Sequence, residues 1–366
     1  MQIPLSLDLQ QLLALGIFAS YFMLIGWLAS VVYRSIQHAI SLNREEDKSI
    51  WRFAAFCVLA LASFGSTWFY MFKFMFWSFV DYESHHTTLS KTLLERIANW
   101  LVNTALFEQA WARVSFGAMN WWWSEQLCLF TVGAWTMFLY AQGPRYNIKN
   151  IWAYTLLGQL VAISVAANLF WLAIVCSPKP RSRESSTTFP PLLWACVLLA
   201  MGTVALSPFT DKQTFLPNLL VMHVLITIPL FSSPSTTPKS ESFALSPSVL
   251  YSLIFFFSIP IRSRTVLALQ SNWQEGSIVE LFEAAWDVLY SHPAQSSIGW
   301  DVICTSVSFA VWTALSCPSE SKTRSRWFTI PYVVLATPFA SVGVTASYVL
   351  RPQVEGVEEK ERPKEE

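Results

Sequence analysis

Apolar runs close to the roughly 20 residues that cross a bilayer as a helix recur along this whole chain, and that recurrence constrains its fold most. Hydrocarbon offers no water to backbone N–H and C=O groups, so such runs close their hydrogen bonds within helices. The fold class expected is all-α, a polytopic transmembrane helical bundle. Candidate spans fall at about 9–33, 53–80, 121–142, 151–176, 191–208, 214–232, 248–262, 300–317 and 328–350. Nine is the count; eight follows if 248–262 is not a span, since Ile259-Pro260-Ile261-Arg262 can kink or stop that helix. Only 13% of residues are charged, against roughly 25% in an ordinary soluble domain, so no room remains for a sizeable soluble unit. Residues 1–350 read as one polytopic domain and 351–366 as a disordered charged tail.

Between the spans lie Arg44-Glu45-Glu46-Asp47, Ser177-Pro178-Lys179-Pro180-Arg181 and the Ser/Pro-rich run 232–239, all with the chemistry of solvated linkers. Formal charge is zero, which gives no reason to expect a nucleic-acid partner. The six cysteines show no ligand spacing and read as free core thiols; the first apolar run has no basic flank or cleavage site and reads as a retained helix. Lys73, inside the second span, is read as snorkelling from its end. Two connections, 88–106 and 278–290, carry leucine and isoleucine at helical spacing and read as helices lying in the membrane interface.

Within this frame one pattern occurs twice. Phe107-Glu108-Gln109-Ala110-Trp111 is followed by Trp123-Ser124 and Ala134-Trp135-Thr136; Phe282-Glu283-Ala284-Ala285-Trp286 is followed by Trp300-Asp301 and Val311-Trp312-Thr313. The candidate halves are 53–176 and 248–350, and five spans separate Glu108 from Glu283. An odd number places the halves in opposite orientations, as in inverted-repeat folds whose site lies at the repeat interface; without the seventh span they are parallel.

Acids beside apolar runs are costly in hydrocarbon and usually mark a site, so Glu108, Glu125, Glu283 and Asp301 are the candidates for chemistry. A carboxyl group withdrawn from water favours its protonated form and can serve as a general acid. The competing explanation is that Glu108 and Glu283 anchor interfacial helices, and that Asp301, first polar group of its span, complements a helix dipole. Tryptophans at 111, 123, 286 and 300, like the run Trp121-Trp122-Trp123, fit either an interfacial aromatic belt or a pocket whose ring faces attract a cation. His85-His86 and His292 lack the spacing of metal ligands, and no Asp-rich or Gly-rich diphosphate motif is present, so no metal or other cofactor is expected.

At Phe107–Trp111, at Trp123-Ser124-Glu125-Gln126 and at His292-Pro293-Ala294-Gln295-Ser296-Ser297-Ile298-Gly299-Trp300-Asp301, the chain resembles the fungal integral-membrane terpene cyclases of meroterpenoid and indole-diterpene pathways, including the ascofuranone-type family. The resemblance implies cyclisation of a prenyl chain, often an epoxide, opened by a carboxylic acid in the membrane without loss of diphosphate. It also implies that the acid is one of Glu108, Glu125, Glu283 and Asp301. The chain is longer than the compact cyclases of related pathways. The expected partners are a lipophilic terpenoid substrate and the lipid bilayer, and the expected location is a multi-pass position in the endoplasmic reticulum. The main alternative is a transporter of a lipophilic metabolite or proton-coupled solute, in which the same acids serve as ion sites.

Overall fold

The computed structural model describes residues 7–43, 50–86, 92–178, 188–231, 243–272, 277–316 and 326–355. The linkers at 44–47 and 232–239, Lys179-Pro180-Arg181, Cys317 and the tail beyond Glu355 lie outside the described residues. Those described form an all-α bundle without strands; the one β feature among them is an isolated bridge between Phe189 and Leu245.

Two long helices, α1 (Leu9–Leu42) and α2 (Ile50–His85), open the chain and outrun the spans expected there. Short helices α3 (Leu93–Asn103) and α4 (Leu106–Ser115) precede α5 (Ala118–Phe130), which passes through a π-helical turn at Thr131–Trp135 into α6 (Thr136–Arg145). Next come α7 (Ile151–Leu160), α8 (Ile163–Cys176), α9 (Pro191–Leu206) and α10 (Phe215–Phe231). The last five are α11 (Pro247–Asn272), α12 (Ile278–Ser291), α13 (Pro293–Ser316), α14 (Arg326–Ala340) and α15 (Val342–Glu355).

Among the described residues five helices, α1, α2, α9 with its short continuation, α11 and α13, are long and apolar enough to cross a membrane. Leu9, Leu13 and Ile17 on α1, and Leu61, Phe72 and Phe76 on α2, are each more than half exposed. Apolar surface of this extent suits a solvent of lipid tails. Lys73 is exposed on α2 with its ammonium 5.9 Å from the Tyr70 ring centroid.

Three sequence expectations need correction. The 248–262 run does not end at Pro260: α11 continues for 26 residues to Asn272. Proline removes one backbone hydrogen bond, but α11 lies along α15 and its next turn is tied to α5 through Arg262, which carries the helix past the gap. The runs 151–176 and 328–350 are each two helices, broken at Val161-Ala162 and at Ser341, whose φ is +82°. Finally, residues 351–355, expected in the tail, belong to α15.

The interfacial stretches form helices, each opened by a capping box, Thr92 with Glu95 on α3 and Ser277 with Glu280 on α12. Phe107–Trp111 does not end α3 but occupies the separate helix α4, whereas Phe282–Trp286 lies inside α12. Each copy then turns a corner into a longer helix. Gly117, at φ +100°, makes the first corner, and His292 in extended conformation the second. Serine closes both: Ser124 Oγ donates to the Val114 carbonyl at 2.6 Å, and Ser296 Oγ to the Leu289 carbonyl at 2.8 Å.

The copies also pack on one another. Trp123 Nε1 of the first donates to the Ala285 carbonyl of the second at 3.0 Å. Deeper in the bundle Trp135 and Trp312, the last repeated tryptophans, both meet Trp171, Trp312 stacking on it at 5.8 Å and Trp135 edge-on at 6.2 Å. Where the π-turn begins, α15 crosses so closely that a Cβ on Gly343 would lie 2.8 Å from the Phe130 backbone nitrogen. Gly343→Ala is therefore expected to destabilise the bundle by about 1–3 kcal/mol, checked by thermal unfolding of the detergent-solubilised protein.

Candidate functional site

Asp301 sits in the first turns of α13, 7% exposed, where α2, α8 and α13 pack together. Its two carboxylate oxygens accept the backbone N–H groups of Ile163 at 2.9 Å and Ser164 at 2.8 Å. Those are the first two residues of α8, whose N–H groups have no partner inside their own helix. On the other side of the break, Tyr21 Oη of α1 donates to the Leu160 carbonyl at the end of α7, at 2.7 Å. The interruption between α7 and α8 is thus closed by an acid from one helix and a phenol from another. Asp301 therefore caps the N-terminus of α8 and not that of its own helix, whose ninth residue it is, so the dipole it complements belongs to a different helix from the one expected.

Around Asp301 runs a seam of small polar side chains. Asn168 Nδ2 donates to Ser63 Oγ at 3.1 Å, Ser297 Oγ to the Thr67 carbonyl at 3.0 Å, and Ser66 Oγ meets Cys304 Sγ at 3.5 Å. The hydroxyls of Ser164 and Thr305 lie beside the Asp301 carboxylate without reaching hydrogen-bond geometry, and Asn168 Oδ1 and Ser308 Oγ are buried without partners. Each such group costs about 1–3 kcal/mol when buried unmet.

Glu125 is also buried, but its surroundings differ. Its carboxylate takes Trp121 Nε1 at 3.1 Å, the Thr265 hydroxyl and Arg262 Nη1 at 3.4 Å. Arg262, 3% exposed, also donates to the Trp122 carbonyl at 2.9 Å and lies over the Trp122 ring at 4.8 Å. Glu125 is the anionic half of a buried ion pair that joins α5 to α11.

The remaining candidates do not converge. Glu108 is half-buried in the first turn of α4, and Glu283 is exposed on α12. Trp111 stacks on His223, Trp286 is 52% exposed, Trp123 is buried on Ala285, and Trp300 is half-buried with its Nε1 unpartnered. The expected single aromatic chamber is therefore not what these four build; the dense indole cluster is Trp135, Trp171 and Trp312. His85 and His86 place Nδ1 on the carbonyls four residues back and share no common ligand position.

Two cavities, of about 410 and 360 Å³, lie at the end of the bundle where both corners turn. Residues from both copies, Gly117 and Asn120 from the first and Ala284 and Val288 from the second, line the smaller one. None of the four acids lines either.

Sequence reading missed Arg262, Thr265 and the α8 start. An arginine two residues past a proline looks like the end of a span, and nothing local marks Val161-Ala162 as a break. The available signal was charge: a buried glutamate needs a cation, and Arg262, like Lys73, is a basic residue embedded in an apolar run. Comparison with protein-family models, curated proteins and solved structures finds no match to the chain, and the site is read from its own geometry.

Proposed function

We propose that the chain is a multi-pass enzyme of the endoplasmic reticulum membrane, a metal-independent terpene cyclase like the fungal meroterpenoid cyclases it resembles. It protonates a prenylated or epoxidised terpenoid and cyclises it without loss of diphosphate. The supporting observation is Asp301: a carboxyl group buried in an apolar bundle, with two backbone N–H donors aimed at its oxygens and unmet hydroxyls beside it. After the proton leaves for the epoxide oxygen or alkene carbon, those two N–H groups hold the carboxylate that remains. The ring-opened cation is then quenched within the same molecule and the proton returns to the base, so the product is an isomer of the substrate. Trp300, with its indole N–H unpartnered, is the tryptophan adjacent to the acid in sequence on α13. Glu125, held by Arg262 on one oxygen and by Trp121 and Thr265 on the other, serves the frame, not proton transfer.

A second reading draws on one observation, the break between α7 and α8 beside a buried acid, because interrupted helices carry the ion and substrate sites of many secondary transporters. The experiment is reconstitution of the full chain in liposomes with a farnesylated phenol carrying a terminal epoxide. Recovery of a cyclised isomer of unchanged mass supports the cyclase; passage of unaltered compound across the bilayer supports transport.

A further inference from the structure

The larger cavity is lined by Trp77, Gln109, Arg113, Phe116, Asn120 and His292, and no acid stands on its wall. We propose that it binds the oxyanion head of an amphiphilic ligand, through Arg113, Gln109 and His292, with Trp77 and Phe116 against the apolar part. The protonation pattern follows from donors of fixed role. Trp100 Nε1, which can only donate, gives its hydrogen to Ser78 Oγ at 3.1 Å, so the Ser78 hydroxyl hydrogen goes to Gln109 Oε1 at 2.9 Å. Gln109 therefore offers its amide nitrogen on the cavity wall.

His292 is fixed in the same way. Its Nδ1 accepts the Ala294 N–H at 3.2 Å, which puts the ring hydrogen on Nε2, and that nitrogen is buried with no partner. Burial, and secondarily the nearby Arg113 charge, push this imidazole down to about 4, so near neutral pH it is an uncharged donor. Arg113 forms no ion pair among the described residues, whose two pairs are Arg96 with Glu83 and Arg262 with Glu125. The remaining polar wall residue, Asn120, spends its amide hydrogens on the carbonyls of Arg113 and Phe116. The exposed Arg113 guanidinium and the Gln109 amide thus stand on the wall of a space of about 410 Å³ that carries no carboxylate, with the uncommitted Nε2 of His292 shielded just behind that wall. The His292 donor is costly to leave buried and unpaired, and an oxyanion drawn in by the Arg113 charge and the Gln109 amide would meet it on a small ring movement.

Such a head comes either from a free lipophilic acid or from an anionic phospholipid, and binding separates the two. The full chain in phosphatidylcholine nanodiscs is titrated calorimetrically with dodecanoate and with dodecanol, then dodecanoate is titrated again in discs containing one-fifth phosphatidylglycerol. Dodecanoate is expected to bind saturably at one site, at least ten-fold more tightly than dodecanol. Arg113→Gln is expected to weaken it about ten-fold without changing dodecanol. His292→Asn, which keeps an acceptor for the Ala294 N–H but shortens the donor's reach, weakens it by a similar factor. Loss of dodecanoate binding in the phosphatidylglycerol discs assigns the site to a lipid head; retained binding assigns it to a free acid. Equal affinity for dodecanoate and dodecanol, or an Arg113→Gln protein that binds both as the wild type does, overturns the proposal. Since none of the four candidate acids lines this cavity, its failure leaves the role proposed for Asp301 untouched.

Discussion

Glu125→Leu is expected to lower stability by about 3–5 kcal/mol, the cost of leaving Arg262 charged and buried without its counter-ion. Arg262 would retain the Trp122 carbonyl, the Phe339 carbonyl and the Trp122 ring, which share its charge but do not neutralise it. Adding Arg262→Met to the same protein should restore most of the loss, because a pair of apolar residues of similar volume needs no ionic compensation. Thermal unfolding in detergent checks both steps. A single variant as stable as the wild type would show that the pair is not what joins α5 to α11.

Asp301→Asn carries the second large effect, and it falls on turnover more than on folding. The amide keeps one oxygen for an α8 N–H but turns an NH₂ toward the other, so the break loses one hydrogen bond, about 1–2 kcal/mol. The proton that a carboxylic acid would deliver is gone altogether. General-acid catalysis contributes about 10²–10⁴-fold, and turnover should fall by that factor while the protein still elutes as a single species. Asp301→Glu, which keeps the proton but displaces it by one methylene, should recover part of the rate. A variant that folds normally and turns over normally removes Asp301 from the chemistry.

The contrast between these two acids shows what the sequence could carry. Apolar runs spaced along the chain are a direct consequence of helix length in lipid, so the helical class and most helices are legible from residue types alone. The helices of the two connections are legible too, because Leu93 and its neighbours repeat at helical period and Thr92 and Ser277 sit three residues before glutamates. Breaks were not. Val161-Ala162 carries no glycine or proline; it opens because Asp301, 138 residues away, and Tyr21 supply the hydrogen bonds that a straight helix would have supplied itself. Pro260 gave the opposite error, since a local breaker was overruled by packing along α15. Charge was half legible: four acids stood out, but which were buried and which exposed depended on partners in distant helices.

The repeated tryptophans teach the same lesson. Trp123 and Trp300 hold corresponding places in the two copies, yet Trp123 is committed to the Ala285 carbonyl and Trp300 keeps a buried, unpaired N–H. The repeat places a corner, a central indole and a buried acid in each copy, Glu125 in the first and Asp301 in the second, but the partners of the two acids differ.

The most direct measurement is product formation by four single amide variants, at Glu108, Glu125, Glu283 and Asp301, in membranes supplied with the epoxidised prenyl phenol. Each rate is divided by the amount of folded protein. Loss of the isomeric product by at least 10²-fold in Asp301→Asn alone is the expected result. Undiminished cyclisation by Asp301→Asn, with the loss falling on Glu108→Gln or Glu283→Gln instead, would contradict it.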